Sequence, residues 1–273
     1  MHRAVEDACR EHGRTDEIGA RIEYLRRAYA VEKKEGPPRF TDEETRLAYA
    51  VAYHPAHAFA YLHVLLRRGI GRTVFGGMRT SPRVLVLGAG PGAETLAMLR
   101  WMETSSPELM KGARFVLVDR AEWEPTRRTV LAPTVRRSWK ANRIVFDQVT
   151  SDVATDEGES FLVAEAGRAD VIFCPSILSE MISERTQNQL LETLNACMDP
   201  GARLVLIDHK DLEFEHVTRQ WSNRFDVIDE GSSTGVILPP PSRWVAMKLL
   251  DGRDNRIPTR SYPLAWTVLG RRG

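Results

Sequence analysis

The feature that most constrains the fold is a series of short apolar runs between residues 83 and 207, separated by stretches with helical spacing. Continuous apolar strands that alternate with helices indicate a parallel sheet covered on both faces. Two more strand-like runs follow towards the end of the chain. The sequence therefore predicts an α/β fold, a doubly wound, mostly parallel seven-stranded sheet. Its strands are expected at 83–88, 114–118, 143–147, 170–174, 203–207, 225–229 and 264–269.

The N-terminal part of the chain has a different pattern. Residues 1–80 show helical periodicity, as in the spacing of Ile18, Ile22 and Leu25, and contain no strand-like run. We expect two regions: a helical cap or substrate lid at 1–80, and an α/β domain at 81–273. Within the second region, residues around the three prolines 239–241 give the weakest prediction, with a further candidate strand at the segment RWVAMKLL.

A second helix of the cap is predicted to begin at a capping box. Thr41 is followed three residues later by Glu44, the spacing at which two side chains satisfy each other's backbone N–H groups. We expect this helix to reach about Arg68. Pro55 lies inside it, and proline removes a helical hydrogen bond, so a kink or break is predicted near Tyr53 and His54.

Composition and charge exclude several classes of protein. The chain has 42% hydrophobic and 27% charged residues, and no apolar run approaches the roughly 20 residues of a membrane span. The N-terminus is too charged for a signal peptide, so we expect a cytoplasmic protein without a membrane partner. Cys9, Cys174 and Cys197 have no CxxC spacing, which favours neither a disulfide framework nor a zinc site.

A net charge of +1 predicts little long-range attraction to nucleic acid, so any basic surface must be local. The best candidate is the segment RRTVLAPTVRRSWKANR at 127–143. A solvated helix face beside the sheet explains this segment better than phosphate binding does. A nucleic-acid partner is therefore not favoured, and a small-molecule partner is.

The segment VLVLGAGPGAE joins the first strand to a helix through three glycines. Gly88 ends the strand, Gly90 allows close approach of the backbone to a ligand, and Gly92 lies near the helix start. Exposed N–H groups at a helix N-terminus form a cradle for a charged nucleoside cofactor. Gly88, Gly90 and Ala93 also satisfy the G-x-G-x-x-A fingerprint of dinucleotide binding. The turn alone leaves both ligands open.

From Arg83 to the end, the chain resembles the class I S-adenosylmethionine (SAM) dependent methyltransferases. The resemblance rests on VLVLGAGPG, with Val86 at the family's usual acidic position, on FVLVDRAEW, VTSDV, ADVIFCPSILSEM and MDPGARLVLID, and on the ending AWTVLGRR. It implies SAM as cofactor, with Asp119 binding the ribose hydroxyls and Asp152 near the adenine amino group. The expected cofactor-binding residues are Gly88, Ala89, Gly90, Gly92, Glu94, Asp119, Arg120, Asp152, Val153, Pro175 and Ser176.

The acceptor site is expected under the cap. Tyr49, Tyr53, His57 and Tyr61 follow at four-residue spacing and form one polar-aromatic helix face. Such a face is also typical of simple packing against the sheet. As a hypothesis, Tyr53 and His54 or His57 line the acceptor pocket, with a histidine as general base because its pKa lies near neutrality.

Two acidic segments complete the predicted site residues. Glu180, after the fourth strand, is a further candidate for the acceptor side, although a surface or capping role explains it equally well. Asp208, His209 and Asp211 superficially resemble a metal set, but they lack a paired acid at the end of the fourth strand. No metal is expected.

The function that follows is methyl transfer from SAM to an O, N or C atom of a small molecule. A second reading is an RNA or ribosome-associated methyltransferase, since AYAVAYHPAHAFAYLHVLL and ILSEM resemble a methyltransferase-like group of the small ribosomal subunit. Members of that group carry cysteines for a metal cluster, and this chain has none at suitable spacing. Two more functions stay open: a non-catalytic SAM-binding protein, suggested by Val86, and transfer of the aminocarboxypropyl group of SAM.

Overall fold

The computed structural model describes residues 2–13, 15–31, 38–67, 69–78, 81–139, 143–181, 183–209, 212–237 and 261–272. Its centre is a single sheet of seven strands. In chain order the strands are β1 Arg83–Leu87, β2 Arg114–Asp119, β3 Val145–Thr150, β4 Val171–Pro175, β5 Arg203–His209, β6 Phe225–Ile237 and β7 Ser261–Arg271.

The strand order across the sheet is β3-β2-β1-β4-β5-β7-β6. Strands β1 to β5 are parallel, whereas β7 lies antiparallel between β5 and β6. This confirms the predicted doubly wound, mostly parallel seven-stranded sheet and its reversed hairpin ending. Because the first strand is central and the chain winds outward from it in both directions, the loops after β1 and β4 leave a crevice at the carboxyl edge.

Helices cover both faces of the sheet. They are α1 His2–His12, α2 Thr15–Val31, α3 Glu43–Ala52, α4 His54–Arg67, α5 Ile70–Phe75, α6 Ala93–Ser105, α7 Glu124–Thr129, α8 Leu131–Trp139, α9 Asp156–Ala166, α10 Ile177–Glu180, α11 Glu184–Cys197 and α12 Leu212–Ser222, with a 3-10 turn at Pro107–Met110. None of those described combines the length and apolar character needed to span a bilayer.

The two faces of β1 pack into different cores. Val84 and Val86 point into a cluster with α4, α6 and α8, while Leu85 and Leu87 point into one with α9, α11 and α12. Burial on both sides explains why the strand reads as a continuous apolar run. Val86, at the position where the resemblance places an acid, is fully buried in the first core.

Three strands differ most from their predicted bounds, and one of them, β7, was expected at 264–269 but spans Ser261–Arg271. Strand β3, expected at 143–147, begins at Val145 and ends at Thr150. It is an edge strand whose side chains are half-buried or exposed, so its apolar signal is weak. Strand β6, expected at 225–229, extends to Ile237 beside β7, with register shifts that indicate bulges. The candidate strand RWVAMKLL lies outside the described residues.

The cap differs in its helix start. Asp42, and not Thr41, is the N-cap of α3, and its carboxylate accepts a hydrogen bond from the Thr45 N–H at 2.8 Å. A carboxylate one residue later caps the helix equally well and also complements the helix dipole. The predicted break before Pro55 is confirmed, since α3 ends at Ala52 and α4 begins at His54.

Packing divides the cap itself. Helices α1, α2 and α3 share a small apolar cluster, joined by Val130 after α7. Helix α4 instead packs on α6 and contributes Tyr61, Val64 and Leu65 to the sheet core. The boundary near residue 80 stays a prediction. The cores themselves separate close to Tyr53, so α4 links the cap to the carboxyl edge of the sheet.

Candidate ligand-binding site

The glycine turn after β1 holds three residues in the left-handed region. The φ angles of Gly88, Gly90 and Gly92 are 73°, 45° and 90°, which L side chains rarely adopt. The turn is tied to β2, because the N–H groups of Gly88 and Ala89 both donate to the Val118 carbonyl, at 2.9 and 3.0 Å. The backbone of the turn is therefore fixed before any ligand enters.

Gly92 has a packing role as the N-cap of α6. A Cβ at this position would lie 2.8 Å from the Leu131 side chain, so the residue allows α6 and α8 to approach closely. Gly92 is buried and lines neither of the cavities described below. Gly92 therefore supports the packing of the turn against α8. Its predicted role in cofactor binding stays a prediction.

Asp119 at the end of β2 faces the glycine turn. One carboxylate oxygen accepts a hydrogen bond from the Gly90 N–H at 2.8 Å, and the other accepts one from the Ala121 N–H at 2.9 Å. Each carboxylate oxygen has two acceptor sites, so both oxygens can still accept a further donor. The side chain is thus oriented by the backbone and has capacity for a pair of hydroxyl groups.

A buried arginine braces this turn. Arg127 in α7 is only 3% exposed, and its Nε donates to the Gly90 carbonyl at 2.7 Å. Its Nη1 lies 3.4 Å from the Leu117 carbonyl, while its buried Nη2 has no hydrogen-bond partner among the described residues. Burial lowers the pKa of Arg127 to about 10, against the opposing attraction of Asp119 and Glu94.

The larger of two adjoining cavities lies outside the carboxyl ends of β1, β2 and β3, with a volume of about 210 Å³. Polar groups are concentrated on one wall, formed by the ends of β2 and β3. The lining residues are Gly88, Val118, Asp119, Arg120, Ser151, Asp152, Val153, Ala154, Ile177, Glu180, Met181 and Thr186. We call this space the large cavity. It brings together four of the predicted cofactor residues that follow β2 and β3.

The small cavity, of about 40 Å³, lies between the glycine turn, the end of β4 and the cap. It shares Gly88, Ile177 and Glu180 with the large cavity, so the two spaces adjoin. Its lining residues are Tyr49, His57, Tyr61, Gly88, Ala89, Gly90, Pro91, Ala93, Glu94, Pro175, Ser176, Ile177 and Glu180. It brings the remaining predicted cofactor residues, apart from Gly92, against the aromatic face of the cap.

The aromatic face continues across the helix break. Tyr49 and Tyr53 stack with ring centroids 4.9 Å apart, His57 follows at 5.9 Å from Tyr53, and Tyr61 follows at 5.9 Å from His57. The row ends at β4, where the Tyr61 hydroxyl lies 3.3 Å from Ser176 Oγ. The contact between the Tyr61 hydroxyl and the Ser176 hydroxyl therefore joins the cap to the sheet at the small cavity.

The four predicted catalytic residues divide into two pairs. His57 lines the small cavity and Glu180 lines both cavities. Tyr53 and His54 are buried, and neither cavity, as the described residues outline it, is lined by them. Three residues along a helix turn the side-chain direction by about 300°, so His54 and His57 point roughly 60° apart and meet different surroundings.

Burial shifts the protonation of two lining groups in opposite directions. Desolvation, with a smaller effect of His209, lowers the pKa of His57 to about 4, so the imidazole is neutral at pH 7. Desolvation raises the pKa of Glu94 to about 7, although Arg127 and a hydrogen bond from Thr95 Oγ1 at 3.1 Å favour its charged form. Burial disfavours the charged form of either group.

Ser176, the residue after β4, has a strained conformation. Its φ of 50° lies in the left-handed region, and its N–H donates to the Ile207 carbonyl at 2.8 Å. Such strain in a non-glycine residue persists only where the surroundings fix it, and it clusters at functional sites. The neighbouring strand β5 supplies that constraint here.

The basic segment requires one correction. It was predicted as a solvated helix face, and Arg128, Arg136 and Arg137 are indeed exposed, whereas Arg127 is buried behind the glycine turn. The sequence offers no signal that separates Arg127 from its neighbours, because charge runs are usually exposed. Only the position of α7 behind the turn identifies it.

Metal-binding groups are not clustered in the part of the chain that the structure describes. Asp208 and His209 end β5, and Asp211 lies outside the described residues. The three cysteines are unpaired thiols, at least half-buried.

No protein-family model and no curated protein matches the chain. Among solved structures, it is similar to the N-methyltransferase NodS from Bradyrhizobium japonicum WM9 in complex with S-adenosyl-L-homocysteine, at 11% identity over 78% of this chain and 88% of that one, with a TM-score of 0.47. It is also similar to the PH0226 protein from Pyrococcus horikoshii OT3, at 12% identity, 85% and 99% coverage, and a TM-score of 0.48.

A third similar structure is the fibrillarin/Nop5p complex, at 13% identity over 78% of this chain and 84% of that one, with a TM-score of 0.45. At these scores and identities the likeness bears on neither the ligand nor the reaction of this chain. What the strand order itself establishes is the fold, a class I methyltransferase-like α/β sheet with N-terminal helices.

Proposed function

We propose that this protein binds SAM and transfers its methyl group to a small-molecule acceptor. The observation that carries the proposal is Asp119, whose carboxylate is oriented by the Gly90 N–H and opens onto the large cavity beside the glycine turn. A carboxylate at the end of β2 suits the two hydroxyls of a ribose. The nucleoside would lie in the cavity of about 210 Å³ onto which this carboxylate opens.

The residues present fit the cofactor in two parts. In the large cavity, Asp119 would hold the ribose, while Asp152 and Val153 would border the adenine. In the small cavity, the glycine turn and Ser176 would hold the amino-acid end of the cofactor. The boundary between the two cavities, at Gly88 and Glu180, is where the reactive sulfur would meet the acceptor.

SAM supplies a methyl group that is already activated, so the protein needs mainly to align the acceptor and exclude water. Tyr49, His57 and Tyr61 close the small cavity from the cap side and provide this exclusion. Of the predicted catalytic residues, neutral His57 and Glu180 line the small cavity and are proposed to accept a proton from the acceptor. The low pKa of His57, about 4, makes its imidazole a weak base.

RNA binding is less well supported by the structure. Arg128 pairs with Glu124 on its own helix, and Arg137 lies 3.9 Å from Asp7 of α1. Both arginines are thus partly neutralised by neighbouring acids, which leaves a weak basic surface for a phosphate backbone. A small-molecule acceptor remains the preferred substrate class.

Calorimetric titration with SAM, S-adenosylhomocysteine and NADH tests the proposal. We expect one site that binds the first two ligands and no heat with NADH. Asp119→Ala should weaken the binding of both. Its matched control, Asp226→Ala, removes an exposed aspartate from β6 and leaves binding unchanged. Binding of NADH in place of SAM overturns the proposal in favour of a dinucleotide enzyme. Mass spectrometry of methylated products then separates an active enzyme from a SAM-binding scaffold.

A further inference from the structure

The small cavity has an unusual charge balance. It is lined by two carboxylic acids, Glu94 and Glu180, and none of its described lining residues is a lysine or an arginine. Its histidine is neutral at pH 7, because burial lowers the pKa of His57 to about 4. A carboxylate entering this space, such as that of the cofactor's amino-acid end, would have to be bound by N–H groups of the glycine turn, because the described wall carries no lysine or arginine. The lining therefore favours a positive group.

Glu94 is the more deeply buried of the two acids. It lies in the first turn of α6 and is 3% exposed. The backbone N–H groups of Glu94 and Thr95 engage the carboxylate, and Thr95 Oγ1 donates to Oε1 at 3.1 Å. A carboxyl group in such surroundings is costly to ionise unless a cation is close by.

Arg127 is the cation behind Glu94, and it is shared. Its Nε and Nη1 are directed to the carbonyls of Gly90 and Leu117, and its charge attracts both Asp119 and Glu94. One guanidinium thus faces two carboxylates while its hydrogen bonds serve the backbone. Consequently Glu94 is only partly compensated, and burial holds its pKa at about 7.

We propose that Glu94 is the counter-ion for a positively charged group of the ligand, and that it releases a proton to solvent when that group enters the small cavity. This rests on the proposed function, since the cation is a sulfonium or an ammonium of the cofactor, or an amine of the acceptor. The chemistry shared by the three is a compact monovalent cation within reach of the carboxylate.

Other groups that line the small cavity together with Glu94 are compatible with a cation. Tyr49 and Tyr61 of the cap helices present aromatic rings on either side of His57, with centroid distances from His57 of 6.2 and 5.9 Å. Aromatic faces attract cations, including sulfonium and ammonium groups, when water is excluded. Glu180 of α10 adds a second carboxylate at the boundary with the large cavity.

The direction of the pH effect follows from the burial of Glu94. Before a cation binds, about half of the Glu94 side chains carry a proton near pH 7, because the pKa is about 7. A cation nearby lowers that pKa, so binding at pH 7 releases up to about half a proton per site. Affinity for the cation approaches its full value about one unit above pH 7 and falls by up to about tenfold for each unit below pH 7.

Proton release is measured by calorimetry at pH 7 in two buffers with different ionisation enthalpies. Three ligands are compared. SAM carries the sulfonium and the α-ammonium, S-adenosylhomocysteine lacks the sulfonium, and methylthioadenosine lacks both the sulfonium and the α-ammonium. Release with SAM alone assigns the sulfonium to Glu94. Equal release with SAM and S-adenosylhomocysteine assigns the ammonium. Release only when n-propylamine is added to the S-adenosylhomocysteine complex assigns an acceptor amine.

Variants make the test specific. Glu94→Gln is expected to bind methylthioadenosine as the natural protein does, to lose proton release, and to lose the pH dependence of SAM affinity. Glu103→Gln, on the more exposed part of the same helix α6, is the matched control. It should keep both the proton release and the pH dependence of SAM affinity. Unfolding midpoints show whether Glu94→Gln is folded. If it is not, Glu94→Asp provides a second variant, which keeps a carboxylate and should retain proton release.

The failure of this inference differs from the failure of the proposed function. If SAM binds without proton release in every buffer and at every ligand combination, the role of Glu94 is wrong although the cofactor is right. If Glu94→Gln releases as many protons as the natural protein, another group titrates and the inference is equally wrong. If SAM does not bind at all, the proposed function itself is wrong.

Discussion

The large and small cavities adjoin at Gly88 and Glu180, yet they are built in different ways. The large cavity is formed by residues that follow directly on β2 and β3, and its acids, Asp119 and Asp152, reach solvent. The small cavity is enclosed by helices from distant parts of the chain, and burial shifts the pKa of both His57 and Glu94. The lining of the large cavity follows from the order of residues after each strand, whereas the lining of the small cavity depends on the packing of distant helices.

The difference between the two cavities corresponds to two proposed roles, ligand recognition in the large cavity and the reaction in the small cavity. Hydroxyl and amine donors of a nucleoside are recognised by acceptors at fixed strand ends, which need no change in protonation. A reacting group needs a dry space with a tuned acid or base. We expect substitutions in the large cavity to affect affinity at any pH, and substitutions in the small cavity to act mainly through pH dependence.

The largest effect is expected for Asp119→Ala. This change removes the acceptor for two hydroxyls, each hydrogen bond to a charged group contributing about 1.5–3 kcal/mol, so SAM affinity should fall by at least about a hundredfold. Titration calorimetry measures it. Asp119→Asn keeps the shape and one acceptor and should lose less. Undiminished affinity in both variants would remove Asp119 from the nucleoside site.

A smaller effect is expected for Arg127→Leu, which lies behind both cavities. It leaves the carbonyls of Gly90 and Leu117 without the guanidinium, a cost of about 1–3 kcal/mol in the free energy of unfolding. Urea unfolding measures this cost. Arg128→Leu, the exposed neighbour on α7, is the control and should change stability by less than about 0.5 kcal/mol. Similar losses in both variants would contradict the bracing role of Arg127.

An effect of comparable size is expected on the pH dependence of stability in the absence of ligand. The pKa of Glu94 is raised to about 7, so the folded state holds its proton more tightly than the unfolded state, and stability falls as pH rises from about 4.5 to 7. The pKa of His57 is lowered to about 4, so stability falls as pH drops from about 6.5 to 4.

Two variants separate these contributions. Glu94→Gln should flatten the unfolding free energy above about pH 5, and His57→Phe should flatten it below about pH 6. Urea titrations at half-unit intervals of pH measure both profiles. An unchanged profile in Glu94→Gln shows that Glu94 already has its full counter-ion, which would weaken the contrast between the two cavities.

The smallest effect is expected on the surface. Neutralising Arg136 and Arg137 of α8 should leave SAM affinity and turnover of a small acceptor unchanged, because both residues are exposed and lie outside the cavity linings. Filter binding of RNA at low and moderate salt tests for an RNA substrate. A salt-dependent RNA complex that is lost in this variant would shift the substrate class to RNA.

The sequence predicts most of the sheet for a physical reason. Strands β1, β2, β4 and β5 are buried on both faces and therefore read as apolar runs, and the glycine turn marks where β1 gives way to α6. The edge strand β3 and the long β6 lack that double burial, so their bounds were misplaced. Asp42 was missed as N-cap of α3 because Thr41 and Glu44 present the stronger local pattern.

The small cavity was predictable only in part. The four-residue spacing of Tyr49, Tyr53, His57 and Tyr61 marks one helix face, and this identified the cap side. Which histidine faces the site depends on the break at Tyr53 and on the packing of α4 against α6. Arg127 had no sequence signal, since burial among exposed arginines is decided by the placement of α7.

The central claim is tested most directly by a crystal structure of the protein grown with S-adenosylhomocysteine. The account predicts one ligand at the carboxyl edge of the sheet, with its ribose hydroxyls on Asp119, its adenine beside Asp152, and its amino-acid end in the small cavity. A nucleoside bound elsewhere, or a dinucleotide spanning the glycine turn, would contradict it.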